Sequence, residues 1–385
     1  MQLREIGELQ LLKEIRKRFS SGPQVKGSGI IVGIGDDAAV LAPQNKRTLV
    51  TTDMMNEGVH FDLSFTAPFH LGFKLVSVNV SDIMAMGGQP EYLFLNISMK
   101  QDSDKGFFTE LYDGISSAMD LYGVKLAGGD LSSAINDMVL SATVIGYGKK
   151  IVTRAGAQVG DKIYVTGTPG DSACGLEILK RATPISKKKV KGFDFVITGK
   201  TAKGNKQTLS LTHNSSLITL NLEAVKPLLT RHLMPIARDS SRLSTDATSM
   251  IDVSDGLFID LNRICDESNV GARVYLDKIP ISSEMEYAAE KLGLDPLALA
   301  GSGGEDYELL FTAPSKYNYE SQVMSYEIKD KKMKFNKNSS LKTHNSELVK
   351  VTCIGEITKK KRFVVDKSGR ESVLKVKGYQ HFGPS

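Results

Sequence analysis

The chain is poor in the residues that mark the commonest redox, metal and nucleotide chemistries. Its three cysteines, Cys174, Cys265 and Cys353, are widely separated, odd in number and without metal-ligand spacing. That excludes a disulfide scaffold and points to a reducing compartment. No apolar run approaches the ~18 residues of a membrane span, and Met1-Gln2-Leu3-Arg4-Glu5 does not open a signal peptide. A soluble, cytoplasmic protein without a membrane partner is expected. No G-x-x-x-x-G-K-[ST] sequence is present, and the turn GTPGDS lacks the P-loop lysine. The kinase H-R-D, the zinc-binding H-E-x-x-H and the hydrolase G-x-S-x-G are also missing. With six histidines in 385 residues, an imidazole-built site is disfavoured.

What remains is an ordinary globular composition, 41% hydrophobic and 24% charged, over a length that suits two domains better than one. A net charge of +5 is mild and dispersed, a weak argument for polyanion binding. The tracts Lys187-Lys188-Lys189 and Lys359-Lys360-Lys361-Arg362 read as solvated loop ends, so no nucleic-acid partner is expected.

Residues 5–19 predict an amphipathic helix with Leu9, Leu12 and Ile15 on one face, and 70–87 a second helix ended by Gly87-Gly88. Strands are expected at 30–32, 49–52, 92–98 and 138–147, with a helix over 106–121. A second unit opens with a strand at 163–165 and a helix capped by Asp171 or Ser172. A strand, turn and helix in MIDVSDGLFIDLNRIC, a strand at 272–276 and another in GSGGEDYELLFTA follow. The lysine-rich stretch 185–215 is weakly patterned and reads as an insertion. Alternating β and α signals in both halves predict α/β domains, 1–150 and 151–385.

Against this background the aspartates stand out. Asp36-Asp37, Asp53, Asp82, Asp130 and Asp255 each lie beside Gly, Ser or Thr, and Asp252 two residues before Ser254, in what read as strand ends and glycine turns. Clustered carboxylates repel one another unless a cation joins them, and Mg²⁺ takes oxygen ligands while keeping waters and substrate phosphates. Asp82 falls on the helical stripe of Leu71, Leu75 and Val78, so it is either a cation ligand or a buried cap for a neighbouring loop. Neighbouring side chains diverge, which makes Asp37 the better ligand and leaves Asp36 structural. Thr51-Thr52-Asp53 adds two hydroxyls and a carboxylate, with His60 seven residues on. In DVSDG, Ser254 or Asp255 can cap the following helix, which leaves Asp252 unexplained. Arg154 suits a phosphate contact or a plain surface position. From the residues alone, the reading ends at Mg²⁺-dependent phosphate chemistry.

Taken in order, GIGDDAAVL, TTDMMNEGVHF, NVSDIMAMGGQPEY, AGGD, TRAGAQVGDKIYVTGTPGDSACGL, IDVSDGL, SGGEDYELLFT and GYQHF resemble the thiamine-monophosphate kinases, of the aminoimidazole-ribonucleotide synthetase superfamily. The resemblance spans about 5–382 and implies a two-domain architecture, each domain a mixed sheet with helices. It implies a homodimer joined through the N-terminal domains. The activity it implies is ATP- and Mg²⁺-dependent phosphorylation of thiamine monophosphate to thiamine diphosphate. Carried over by position, Asp37, Thr51, Thr52, Asp53, Asp82, Asp130, Asp252 and Asp255 would hold several Mg²⁺ ions. Tyr112, Gly129, Asp130, Arg154 and Ser254 would meet ATP, and His60, Glu305 and Tyr379 the thiamine phosphate. Such an acceptor is already deprotonated, so no residue is needed as general base. The competing readings are an aminoimidazole-ribonucleotide synthetase-like enzyme, which activates an amide oxygen, and a non-catalytic phosphate-binding module. A selenophosphate synthetase lacks its cysteine before GIGDD, and a hydrogenase-maturation relative its C-terminal cysteine.

Overall fold

A computed structural model describes residues 2–6, 8–19, 29–32, 39–182, 189–190, 193–196, 208–213, 216–316, 323–325 and 348–375. The chain divides into two units, Met1–Ile151 and Val152–Ser385.

The first unit runs α1 (Leu3–Ile6), α2 (Glu8–Phe19), β1 (Ile30–Val32), β2 (Val40–Leu41), β3 (Arg47–Asn56), α3 (Pro68–Ala85), β4 (Gln89–Lys100), α4 (Lys105–Tyr122), β5 (Lys125–Ala134) and β6 (Val139–Gly148). Four strands form a sheet in the order β3-β6-β4-β5, in which only β4 and β5 are parallel. A parallel pair needs a crossover, and α4 supplies it. This helix is capped by Asp104, which accepts from Gly106 N–H at 2.6 Å, and is closed by left-handed Gly123.

Helix α3 packs on β3, β4 and β6 on one side and on α4 on the other. Fifteen of its eighteen residues are buried, so the expected one-sided stripe is in fact a helix enclosed nearly all round. Glycines allow the close approach. A Cβ on Gly72 would fall 2.0 Å from Leu111 O, and one on Gly114 1.9 Å from Phe69 O. The core face of α2 is Leu11, Ile15 and Phe19, with Leu12 only half-buried. The i, i+4, i+8 spacing sets that stripe, one turn position away from the expected one.

The second unit runs β7 (Lys162–Thr166), α5 (Asp171–Arg181), β8 (Lys189–Val190), β9 (Phe193–Val196), β10 (Thr208–His213), β11 (Ser216–Asn221), α6 (Leu222–Leu233), β12 (Ser249–Asp252), α7 (Leu257–Ser268), β13 (Gly271–Tyr275), α8 (Ser283–Leu292), α9 (Pro296–Ser302), β14 (Leu309–Ala313), β15 (Val323–Ser325), β16 (Leu348–Thr358), β17 (Arg362–Val365) and β18 (Glu371–Val373). Its mixed sheet has the order β12-β14-β7-β16-β13-β17-β18, with β15 paired to β16. The end of the lysine-rich stretch is more regular than expected. Strand β10 forms a hairpin with β11, and Leu209 and Leu211 are buried at period two.

Glu308, just before β14, is fully buried. It accepts from Arg238 Nε and Nη2 at 2.8 and 2.6 Å and from Thr166 Oγ1 at 2.6 Å, while Arg231 Nη1 lies 2.8 Å away. Burial by itself would raise its pKa, but the charges of Arg238 and Arg231 bring it down to about 2. A depressed carboxyl stabilises the fold above its unfolded pKa and loses that contribution as pH falls through the folded value. Unfolding free energy should therefore drop between about pH 4.5 and 2. Glu308→Gln should flatten that limb. It should also cost about 3–5 kcal/mol at neutral pH, because two guanidiniums lose their buried partner. Urea titrations of both proteins across that pH range measure both effects; parallel curves would refute them.

Candidate active site

In the first unit, strand β3 is stitched to helix α3 at two points. Thr51 Oγ1 donates to Asp82 Oδ2 at 2.6 Å, and Asp53 N–H donates to Asn79 Oδ1 at 3.0 Å. The Asn79 amide is oriented by its Nδ2 donating to Leu75 O, one helical turn back. Thr51 and Asp53 share one face of the strand, and Asn79 and Asp82 one face of the helix. Asp53 and Asp82 therefore belong to a single seam between strand and helix, with the Thr51 hydroxyl on Asp82. Both aspartates are half-buried, Asp82 on an otherwise enclosed helix. Asp53 lies inside β3, three residues short of its end, and not at a strand terminus as expected.

The sheet separates other predicted ligands from this seam. Thr52 points to the opposite face, where its Oγ1 donates to Ala142 O and accepts from Thr143 Oγ1, both at 3.1 Å. Asp130 is in register with Asn96, Ser141 and Met54 across the sheet, one row beyond Asp53, Ala142, Leu95 and Gly129. Residues in one row share a face and adjacent rows alternate. Asp130 thus lies on the face of Met54 and opposite Asp53, on an outer strand roughly 14 Å away by three strand spacings. Gly128-Gly129-Asp130 is strand and not a glycine turn. Gly129 has φ +146°, and a Cβ there would lie 1.9 Å from Leu95 O.

His60 accepts from Asn56 N–H through Nδ1 at 3.0 Å, which puts the proton of the neutral ring on Nε2. That is a donor suited to a phosphate oxygen. Tyr112 is 4% exposed, and its ring packs on Phe108 and Phe19 with centroids 4.7 and 6.1 Å apart. Burial drives its phenol pKa upward. Its ring belongs to the core of the first unit. Asp37, Leu9 and Tyr379 lie outside the described residues and side chains.

In the second unit, β12 ends at Asp252, which is 3% exposed. The next four residues run beside 305–308. Tyr307 N–H donates to Val253 O, Val253 N–H to Glu308 O and Glu305 N–H to Ser254 O, at 2.9, 2.7 and 2.7 Å. This pairing brings DVSDG and GGEDY together, with Ser254 beside Glu305. Neither Ser254 nor Asp255 caps α7. Asp260, inside the helix, accepts from the N–H groups of Asp255 and Gly256, both at 3.1 Å. Burial pushes Asp260 up to about 6, against the pull of Arg263. Arg263 grips Asp255 and Asp260, each at 2.6 Å. Arg154 is exposed, on a loop pinned by Ser268 Oγ, which donates to Arg154 O and accepts from the N–H groups of Gly156 and Ala157.

Helix α5 is capped from a distance and not by Asp171 or Ser172. Asp306 accepts from the N–H groups of Gly170 and Ser172 at 2.6 and 2.9 Å, and burial pushes it up to about 8. Asp171 instead accepts from Thr168 and Ser282. Sequence reading missed Asp306, Glu308, Arg231, Arg238 and Arg263. The one signal was the density of acids in GGEDYE, whose partners lie 70 or more residues away. Among the described residues, no three His, Cys, Asp or Glu side chains gather as a ready metal cage.

Residues 35–147 match the AIR synthase related protein, N-terminal domain, and residues 158–367 the C-terminal domain. The thiamine-monophosphate kinase of Buchnera aphidicola from Acyrthosiphon pisum is 33% identical over 96% of this chain and 98% of its own length. That of Escherichia coli is 32% identical over 91% and 92%. A solved structure of AaThiL complexed with AMPPCP and TMP aligns with a TM-score of 0.67 at 29% identity, over 99% of each chain. The Stenotrophomonas maltophilia thiamine-monophosphate kinase gives 0.68 at 31%, over 94% and 96%. The hydrogenase maturation protein HypE in complex with ATP, 17% identical with a TM-score of 0.63, shares the fold alone. With both domains matched in order and that identity held along nearly the whole sequence, the chain belongs to the thiamine-monophosphate kinase family of AIR synthase related proteins.

Proposed function

We propose that the protein transfers the γ-phosphoryl group of ATP directly to the phosphate of thiamine monophosphate, in line, giving thiamine diphosphate and ADP with Mg²⁺. The observation that carries the reading is the seam of Thr51, Asp53 and Asp82, an all-oxygen donor set stitched to rigid elements. Such donors fit a hard cation that completes its shell with water and phosphate oxygens. Family membership supports the same chemistry, and the AaThiL structure holds an ATP analogue together with TMP.

The acceptor oxygen carries no proton at neutral pH, so the chain needs no general base. Its task is to seat two polyanions against each other. Mg²⁺, when bound, would supply the positive charge that offsets the repulsion between the two phosphates. Asp53 and Asp82, with Thr51, are the ligands best supported by geometry. Asp37, Thr52, Asp130, Asp252 and Asp255 are proposed as ligands of further Mg²⁺ ions. Tyr112, Gly129, Asp130, Arg154 and Ser254 are assigned to ATP. His60 donates from Nε2 to the acceptor phosphate, and Glu305 and Tyr379 complete that pocket.

A homodimer belongs to this proposal. Thr52 and Asp130 lie on the sheet face that also exposes Val50 and Met54, 64% and 56% accessible. A second copy covering that face would bury the apolar pair.

Wild-type protein given ATP, Mg²⁺ and thiamine monophosphate should release ADP and thiamine diphosphate together; binding without turnover would leave only the phosphate-binding module. Asp53→Asn and Asp82→Asn should each lower turnover by at least about a hundredfold with thermal unfolding little changed. A rate near wild type in either removes that residue from the metal set. His60→Ala should raise the KM for thiamine monophosphate about tenfold and leave that for ATP near its original value. The reverse pattern takes His60 out of the acceptor pocket. Met54→Asp should convert a dimer to a monomer in sedimentation; an unchanged dimer would mean another face is used.

A further inference from the structure

We infer that His232 is a positioning residue for the acceptor pocket, holding the Glu305 carboxylate in place from beneath. The inference rests on the kinase reading and adds to it a residue that the motif GGEDY does not contain.

His232 sits in the last turn of α6 and is 4% exposed. Its Nδ1 lies 3.4 Å from Glu305 Oε2 and 3.1 Å from Ser172 Oγ in the first turn of α5. A carboxylate only accepts, so the fitting ring form carries a proton on Nδ1, shared between Glu305 and the serine oxygen. The helices meet tightly at this point. A Cβ on Gly175 would fall 2.2 Å from Leu228 O and 3.3 Å from His232 Cβ, so glycine lets the imidazole reach Ser172.

Glu305 needs such support because its backbone does not relax into place by itself. Its φ is +65°, a left-handed conformation that costs a non-glycine residue free energy. Tyr307, two residues on, has φ +52°. Between them, Asp306 is anchored to the N-terminus of α5 by two backbone N–H groups, one of them from Ser172. The chain is therefore fixed at Asp306, and the adjoining Glu305 side chain, 28% exposed, is steadied at its tip by the imidazole. One end of the carboxylate faces His232, which leaves its direction defined for a ligand. Thiamine monophosphate carries an aminopyrimidine and a cationic thiazolium, both of which favour an oriented anion. The geometry assigns His232 to binding of the acceptor and not to the transfer step.

The test is steady-state kinetics on the full chain. His232→Gln carries the donor away from the Nδ1 position, and His232→Phe deletes it; each should raise the KM for thiamine monophosphate about tenfold, with kcat and the KM for ATP within about twofold of wild type. His232→Asn places an amide N–H where Nδ1 stood and should restore most of the loss. In a Glu305→Gln background the His232→Gln change should add less than about twofold, since the two act as one unit. An unchanged KM in His232→Gln overturns the inference. So does an effect that persists in full beside Glu305→Gln, or one that falls equally on ATP, as general loosening would. If His232→Phe does not fold, the Gln and Asn pair decides alone. A wild-type protein that makes no thiamine diphosphate would instead defeat the kinase proposal itself.

Discussion

The first unit depends on one packing constraint: α3 has sheet on one side and α4 on the other. A helix so enclosed cannot send its polar groups to water, so each must find a partner within the protein. Ser77 meets the Tyr122 hydroxyl, Asn79 bonds one turn back and across to β3, and Asp82 takes the Thr51 hydroxyl. The bonds that satisfy the buried helix are the same ones that fix the strand bearing Asp53. Structural satisfaction and placement of the seam proposed to bind a cation are thus one set of contacts.

The second unit handles its buried acids in different ways, each set by the partner within reach. Glu308 stays ionised because two arginines enclose it. Asp306 accepts from two backbone N–H groups and is raised by burial to about 8. Asp260, with one arginine and two N–H groups, is raised only to about 6. Backbone pairing holds the loops 253–256 and 305–308 side by side, and these acids tie each loop to the elements around it. The residues proposed to meet substrate, Ser254 and Glu305, are therefore displayed by a polar framework and not by hydrophobic packing alone.

Much of this was legible in advance. Helices α3 and α4 and strands β4, β6, β7 and β14 follow from apolar spacing and from the glycine and proline signals at their ends. Hydroxyl and carboxylate neighbours such as Thr51-Thr52-Asp53 marked the proposed site residues by chemical type. The caps of α5 and α7 were misread for a definite reason. A local Asp or Ser ordinarily supplies the side-chain acceptor, and here Asp306 reaches across 134 residues while Asp260 reaches back within its own helix. The packing of the Tyr112 ring on Phe19 and Phe108 was not legible, because a tyrosine on a helix shows no sign, in one dimension, of what its ring meets.

The sequence by itself determined which atoms are available: oxygen donors of the kind proposed for a hard cation, glycines where backbones approach closely, and no cysteine pair at metal-ligand spacing, P-loop or histidine-built motif for other chemistries. Tertiary structure decided which of those atoms meet. Strand alternation put Asp53 and Asp130 on opposite faces of one sheet, register placed Asp130 level with Asn96, and strand pairing set Ser254 beside Glu305. Those outcomes depend on pairings between segments far apart in the chain, and a one-residue slip in any of them would reverse the face on which a carboxylate lies.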